Sequence, residues 1–240
     1  MNKKFSEKFQ DKFIPIPTNA ADKRRSALFC AAGQPGMKAS PYLLNLSFEF
    51  IKNMHATDLS AVSNRIKPTQ VNYIDIFPGE HYQLLAAIVK TMQPKTIVEL
   101  GTHLGYSALC MKQQLPFDGT IHTFDVIPWN GFEDTILEQN DFDTQLVQHV
   151  ADITDAKIFA DYLPVLENAD IIFMDALKDG VQEYQFLENF SKINFKNKCL
   201  FVLDDIRLWN MLDIWYNIDK PKFDLTSYGH WSGTGLIEWN

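Results

Sequence analysis

The chain predicts an α/β fold with a doubly wound, mostly parallel sheet preceded by a helical N-terminal extension. Three observations carry this expectation. From Pro94 onward, short apolar runs alternate with helical stretches, the pattern of a parallel sheet with crossover helices. Two of those runs, 169–174 and 199–203, are almost continuously apolar, as strands covered on both faces are. Nearly every unusual polar residue falls just past an expected strand end, where such sheets bind ligands. The 240 residues, 46% of them hydrophobic, suffice for one substantial core. We divide them into an N-terminal arm and helical lid, 1–77, and a main domain, 78–240.

Residues 1–39 read as irregular, because Pro15, Pro17, Gly33, Pro35 and Gly36 break any period. A helix begins at Ser40-Pro41, with Ser as N-cap and Pro in the first turn, and runs to about His55. After a loop through Pro68, Phe77-Pro78-Gly79 opens a second helix over 80–92, with Leu84, Leu85, Ile88 and Val89 on one face. Strands are expected at 96–100, 120–124, 145–150, 169–174 and 199–203, with a helix over 106–114. The tail, 223–228 and 234–239, joined by Gly-His-Trp-Ser-Gly, suggests a closing hairpin.

Composition excludes several classes of partner. A net charge of -8 leaves no global basic field for nucleic acid or an anionic membrane. The cluster Lys3, Lys4, Lys8, Lys12, Lys23, Arg24 and Arg25 reads as a solvated arm. No stretch approaches the roughly 20 apolar residues a membrane span needs, and the first residues lack the apolar run of a signal peptide. Cys30, Cys110 and Cys199 form no CxxC pair, so the expectation is a reduced, cytoplasmic protein without disulfides. A small-molecule partner remains, and a homodimer stays open.

The loop after the first strand reads Glu99-Leu-Gly101-Thr-His103-Leu-Gly105-Tyr-Ser107, with the spacing E-x-G-x-x-x-G. Gly101 permits a sharp turn and close approach to a ligand, and Gly105 lets the next helix pack near the strand. Neither the dinucleotide fingerprint nor the phosphate-binding Gly-Lys-Ser/Thr is present, and an acid within the loop would repel a pyrophosphate. A cationic nucleotide without phosphates fits better. Asp125, ending the second strand, can accept both ribose hydroxyls, and Asp152, past the third, can accept from an adenine amino group. Taken singly, each acid is an ordinary cap or turn residue; the set in chain order is what points to a ligand.

This pattern resembles the first motif of class I S-adenosylmethionine-dependent methyltransferases, in the form found in the catechol and caffeoyl-CoA O-methyltransferases. The resemblance covers roughly residues 78–205. It implies a seven-stranded Rossmann-like sheet, with Glu99, Gly101, His103 and Ser107 at the methionine end of S-adenosylmethionine, Asp125 at the ribose and Asp152 near the adenine.

Asp175 follows the fourth strand in Asp175-Ala-Leu-Lys178-Asp179, and Asp204-Asp205 follow the fifth. Adjacent strand ends would bring Asp175, Asp204 and Asp205 together, where they repel unless a cation neutralises them. Oxygen-only ligation suits Mg²⁺ or Mn²⁺ better than zinc. The bland alternative makes them helix caps, and Lys178 a surface lysine paired with Asp179. D-x-x-K-D resembles the cation-dependent O-methyltransferases, which implies that Asp175 binds metal and Lys178 is the general base. The Asp-Asp pair is more similar to bacterial sugar and macrolide O-methyltransferases, whereas the catechol type has Asp-Asn. The acceptor would be a small hydroxylated molecule, a sugar or a phenol, bound among Trp129, Trp209, Trp215, Tyr216, His230 and Trp231. Rival readings are a metal-independent methyltransferase and a catalytically silent nucleotide-binding scaffold.

Overall fold

The apolar runs form strands where their pattern places them. The structure, a computed structural model, describes residues 39–75 and 80–240. The irregular arm before residue 39, its basic cluster, Cys30 and the Phe77-Pro78-Gly79 helix opening lie outside the described residues. Seven strands make one sheet: β1 Thr96–Leu100, β2 Thr120–Asp125, β3 Leu146–Val150, β4 Ile171–Met174, β5 Leu200–Asp204, β6 Lys222–Asp224 and β7 Thr234–Glu238. Their order is β3-β2-β1-β4-β5-β7-β6. The first five are mutually parallel, while β7 runs antiparallel to β5 and β6.

The main helices are α1 Pro41–Met54, α2 His81–Met92, α3 Tyr106–Lys112, α4 Ala156–Asp161, α5 Gln182–Phe190 and α6 Met211–Asn217. Ser40 caps α1 by accepting from Leu43 N at 3.0 Å, with Pro41 in the first turn. The cap is the smaller part of what holds this helix. Leu43, Phe50 and Met54 are buried on it, and each such side chain contributes about 1.5–3 kcal/mol, against roughly 1 kcal/mol for a cap.

Strand alternation divides the core between the two faces of the sheet. Ile97, Ile121, Phe173 and Val202 pack with α1, α2 and α3. Val98, Phe124, Ile172 and Leu203 pack with α4, α5 and α6. Chain order reverses between β1 and β4, so their carboxyl ends flank a crevice. Leu100 pairs with Met174, which sets Gly101 beside Asp175. Among the described residues, no helix is long and apolar enough to cross a membrane.

Candidate active site

Two cavities open along this crevice, of about 430 and 490 Å³, and Gly101, His103 and Asp175 line both. Gly101 has φ 103°, and a Cβ there would strike the carbonyl oxygen of Asp175. The close approach that requires glycine at this position is therefore to the backbone after β4, a contact the sequence alone assigned to a ligand. Gly105, with φ 88°, stands as N-cap of α3, and a Cβ there would run into Leu137.

The larger cavity takes Asp125 and Asp152 together with Phe124, Ile127 and Phe132. Asp125 Oδ2 accepts from His103 N and Oδ1 from Ile127 N, both at 3.0 Å, which fixes the carboxylate at the end of β2. Asp152 is exposed, and its Oδ1 accepts from Thr154 N at 3.0 Å and Thr154 Oγ1 at 2.6 Å. His103 holds a left-handed φ of 42° and meets Phe132 edge-on at 5.1 Å.

The smaller cavity takes Ser107 from the loop and Asp175, Asp204 and Asp205 from beyond β4 and β5. Glu99 lines neither cavity. It is fully buried behind Ser107, whose hydroxyl donates to its Oε1 at 2.5 Å. Burial pushes the Glu99 carboxyl up to about 7, against that hydrogen bond. Its Oε2 is buried without a hydrogen-bond partner, and an unpaired buried oxygen of this kind suits a cationic donor.

One carboxylate oxygen from each of Asp175, Asp204 and Asp205 lies within 4.8 Å of the others, as the strand order requires. Such a hard, all-oxygen set fits Mg²⁺ or Mn²⁺ in donor chemistry. In the protein itself the Lys178 ammonium stands among these acids. It bonds Asp175 and lies 3.4 Å from Asp205 Oδ2 and 3.8 Å from Asp204 Oδ2. Desolvation works against its charge, but the three carboxylates outweigh it and hold Lys178 well above the usual lysine range. Burial, together with the charges of Asp204 and Asp205, raises Asp175 despite Lys178.

Local structure departs from expectation here. The three-residue spacing of Asp175 and Lys178 would place them one turn apart on a helix. Lys178 lies instead in a loop, at φ 61°, its amide donating to Glu183 Oε1 at 2.6 Å. Asp179 does not pair with it; its Oδ1 accepts from Val181 N and Gln182 N ahead of α5. Nor do Asp204 and Asp205 cap a helix near Arg207. The next helix, α6, starts at Met211 with Asn210 at its N-cap.

Sequence reasoning missed His81, Tyr73, Tyr82 and Tyr106, which line the smaller cavity with the expected His230 and Trp231. Trp215 is a core residue instead, and Trp129 packs on Phe142. Tyr106 meets Tyr73 edge-on at 5.5 Å and Tyr82 at 5.8 Å. His81 opens α2, a helix before β1 that no local pattern ties to the end of β5.

A doubly wound sheet with a glycine loop and convergent carboxylates at its switch point is an architecture that binds ligands beyond its strand ends. The sequence model of the O-methyltransferase family matches residues 63–212, well over half of the chain, and the chain belongs to that family. Catechol O-methyltransferase of Niastella koreensis is 33% identical over 133 residues, 52% of this chain and 57% of that protein, so the chain spans little more than half of that relative's length. The fold is similar to that of SAH-bound Podospora anserina methyltransferase PaMTH1, with TM-score 0.50 and 16% identity over 95% of this chain and 99% of that one. It is also similar to a protein assigned as an O-methyltransferase from Klebsiella pneumoniae, with TM-score 0.50 and 18% identity over 92% and 96% of the two chains. At these identities the structures support the fold alone.

Proposed function

We propose that the chain transfers a methyl group from S-adenosylmethionine to a hydroxyl of a small molecule, a sugar or a phenol, with Mg²⁺ or Mn²⁺ held by Asp175, Asp204 and Asp205. The observation that carries this reading is the pair of cavities joined at Gly101, His103 and Asp175. One offers carboxylates suited to a nucleoside, the other a cluster of acids and aromatic walls suited to a hydroxylated acceptor. Reactants held in two cavities that meet gain much of their acceleration from proximity.

Each residue then has a stated task. Asp125 keeps lone pairs for ribose hydroxyls beyond those committed to His103 and Ile127. Asp152 stands on the adenine side. Ser107, in the cavity wall, would meet the ammonium of the methionine moiety, with the carboxylate of the buried Glu99 behind it supplying the opposite charge. When bound, the cofactor supplies an electrophilic methyl and the metal a Lewis acid that lowers the pKa of the acceptor hydroxyl. Lys178 Nζ takes the hydroxyl proton, a role open to it only where another cation offsets the carboxylates that otherwise keep it charged.

One observation favours a second reading. Because Lys178 itself offsets the acid cluster, the same site could work without metal, with Asp175 as the proton acceptor. The deciding experiment incubates the purified chain with S-adenosylmethionine and a panel of catechols and sugars, before and after exhaustive EDTA treatment. Methyl ethers detected by mass spectrometry, abolished by EDTA and restored by Mg²⁺, are expected. Turnover unchanged by EDTA selects the metal-free reading. No transfer to any acceptor, with no cofactor binding by calorimetry, overturns the assignment.

A further inference from the structure

Asp204 presents its two oxygens to different neighbours. Oδ2 faces Lys178 and the acid cluster, at 3.8 Å from the ammonium. Oδ1 faces two imidazoles, His230 Nε2 at 2.6 Å and His81 Nδ1 at 3.9 Å. These three residues come from the start of α2, the end of β5 and the loop before β7, and one donor atom from each lies within 4.8 Å of the others. The two rings stand edge to face at 4.5 Å. Ser232 Oγ lies 2.5 Å from His230 Nδ1, so the opposite ring nitrogen is held toward Asp204. Thr234 Oγ1 lies 3.2 Å from His81 Nδ1.

We infer that His81 Nδ1, His230 Nε2 and Asp204 Oδ1 form a cation position of their own, for a first-row transition metal ion, beside the oxygen-only set. Two imidazoles and one carboxylate suit Zn²⁺, Fe²⁺ or Co²⁺, whereas Mg²⁺ prefers oxygen throughout. With bonds of about 2.1 Å, donors around a tetrahedral or octahedral ion stand roughly 3.0–3.4 Å apart. The separations from Asp204 Oδ1, 2.6 and 3.9 Å, bracket that value, so small rotations of two side chains complete the site. Ser232 supplies the outer contact that orients a ligating imidazole. His81 and His230 line the smaller cavity, so further coordination positions face the space assigned to the acceptor.

Cobalt is the probe that separates this site from the acid cluster. Co²⁺ added to the EDTA-treated full chain should give two solvent-exchangeable, hyperfine-shifted imidazole N–H signals in the proton NMR spectrum. Excess Mg²⁺ should leave both. His81→Asn and His230→Gln should each remove one signal and weaken Co²⁺ binding on the order of tenfold or more, while Asp175→Asn keeps both. Because His81 is buried, its variant could fail to fold, and the unmodified chain then decides alone. Absence of exchangeable shifted signals at saturating Co²⁺, or their loss on adding Mg²⁺, overturns the proposal.

Discussion

The two cavities that meet at Gly101 are assembled in different ways. The one beside Asp125 and Asp152 draws those acids from the ends of β2 and β3, and backbone amides of the loops beyond β1, β2 and β3 satisfy them, while Asp175 and Lys178 close its far side. The other gathers His81 from before β1, Asp175 and Asp204 from after β4 and β5, and His230 from before β7. There the acids are satisfied by charged side chains, Lys178 from the loop after β4 and His230 from before β7. Asp125 and Asp152 in the first region are held by backbone amides rather than by charged partners. Charges in the second are buried and depend on one another, so a single substitution should disturb several groups at once.

The largest expected effect tests that dependence. Lys178→Met keeps the stem and removes the amine, and loss of a positioned base costs on the order of 10²–10⁴-fold in turnover. The structure adds a second readout. With the ammonium gone, Asp175, Asp204 and Asp205 repel one another, so Tm in EDTA should fall and divalent cation should restore it by mass action. Near wild-type turnover, or a Tm indifferent to both changes, would remove Lys178 from the cluster's function.

Glu99 makes the next comparison, because it is buried yet belongs to the local glycine-loop motif. Burial pushes its carboxyl up to about 7 in the free protein, above the ordinary glutamate value of 4.5. The folded chain therefore holds this proton longer than the unfolded one, and the group's contribution to stability declines as pH rises from 4.5 through 7. An ammonium bound at Ser107 favours the ionised form, so cofactor affinity should climb with pH and level off above about 7. Below that, the slope approaches about tenfold per pH unit. Glu99→Gln should flatten the profile measured by calorimetry; a profile unchanged in that variant assigns the proton elsewhere.

Gly101→Ala probes the seam between the regions. Its positive φ and the collision with Asp175 O predict a stability loss of at least about 1 kcal/mol in urea unfolding. Weaker binding should accompany that loss, because the same strain displaces Asp175. Weaker binding at unchanged stability would return the glycine to a ligand-contact role.

How much of this was legible follows the same division. Strand β1 falls on the residues expected, and Asp125 stands at a strand end, because short apolar runs and the glycine turn are local signals. The convergence of Asp175 with Asp204 and Asp205 followed from strand adjacency. His81 was illegible because the helix before β1 reaches the end of β5 only through tertiary packing. The loop conformation of Lys178 is illegible locally because it depends on the buried Glu183, five residues ahead, which holds its amide and that of Gly180. The helix that follows starts only at Gln182.

The smallest effect compares two aspartates that do the same local work in the two regions. Asp155 accepts from Lys157 N and Ile158 N at the start of α4, and Asp179 from Val181 N and Gln182 N ahead of α5. Asp155 is the N-cap of α4, whereas Asp179 holds the amides of the N-cap residue Val181 and of Gln182 from ahead of α5, and loss of either carboxylate leaves amides unpaired at a helix start. Each Asp→Ala variant should therefore lower Tm by about 2–4 °C. Their effects on turnover should differ. Asp155 belongs to a helix beside the first cavity, where Asp125 and Asp152 are held by backbone amides. Asp179 adjoins Lys178, and its backbone carbonyl accepts from Asn210 Nδ2 at 2.7 Å, so loosening it frees the loop that aims the ammonium. Asp179→Ala should thus lose several-fold in turnover at equal thermal cost, and Asp155→Ala almost none. Equal turnover in the two variants would mean that Glu183 alone fixes the Lys178 loop, and Glu183→Gln would then be the substitution that separates the regions.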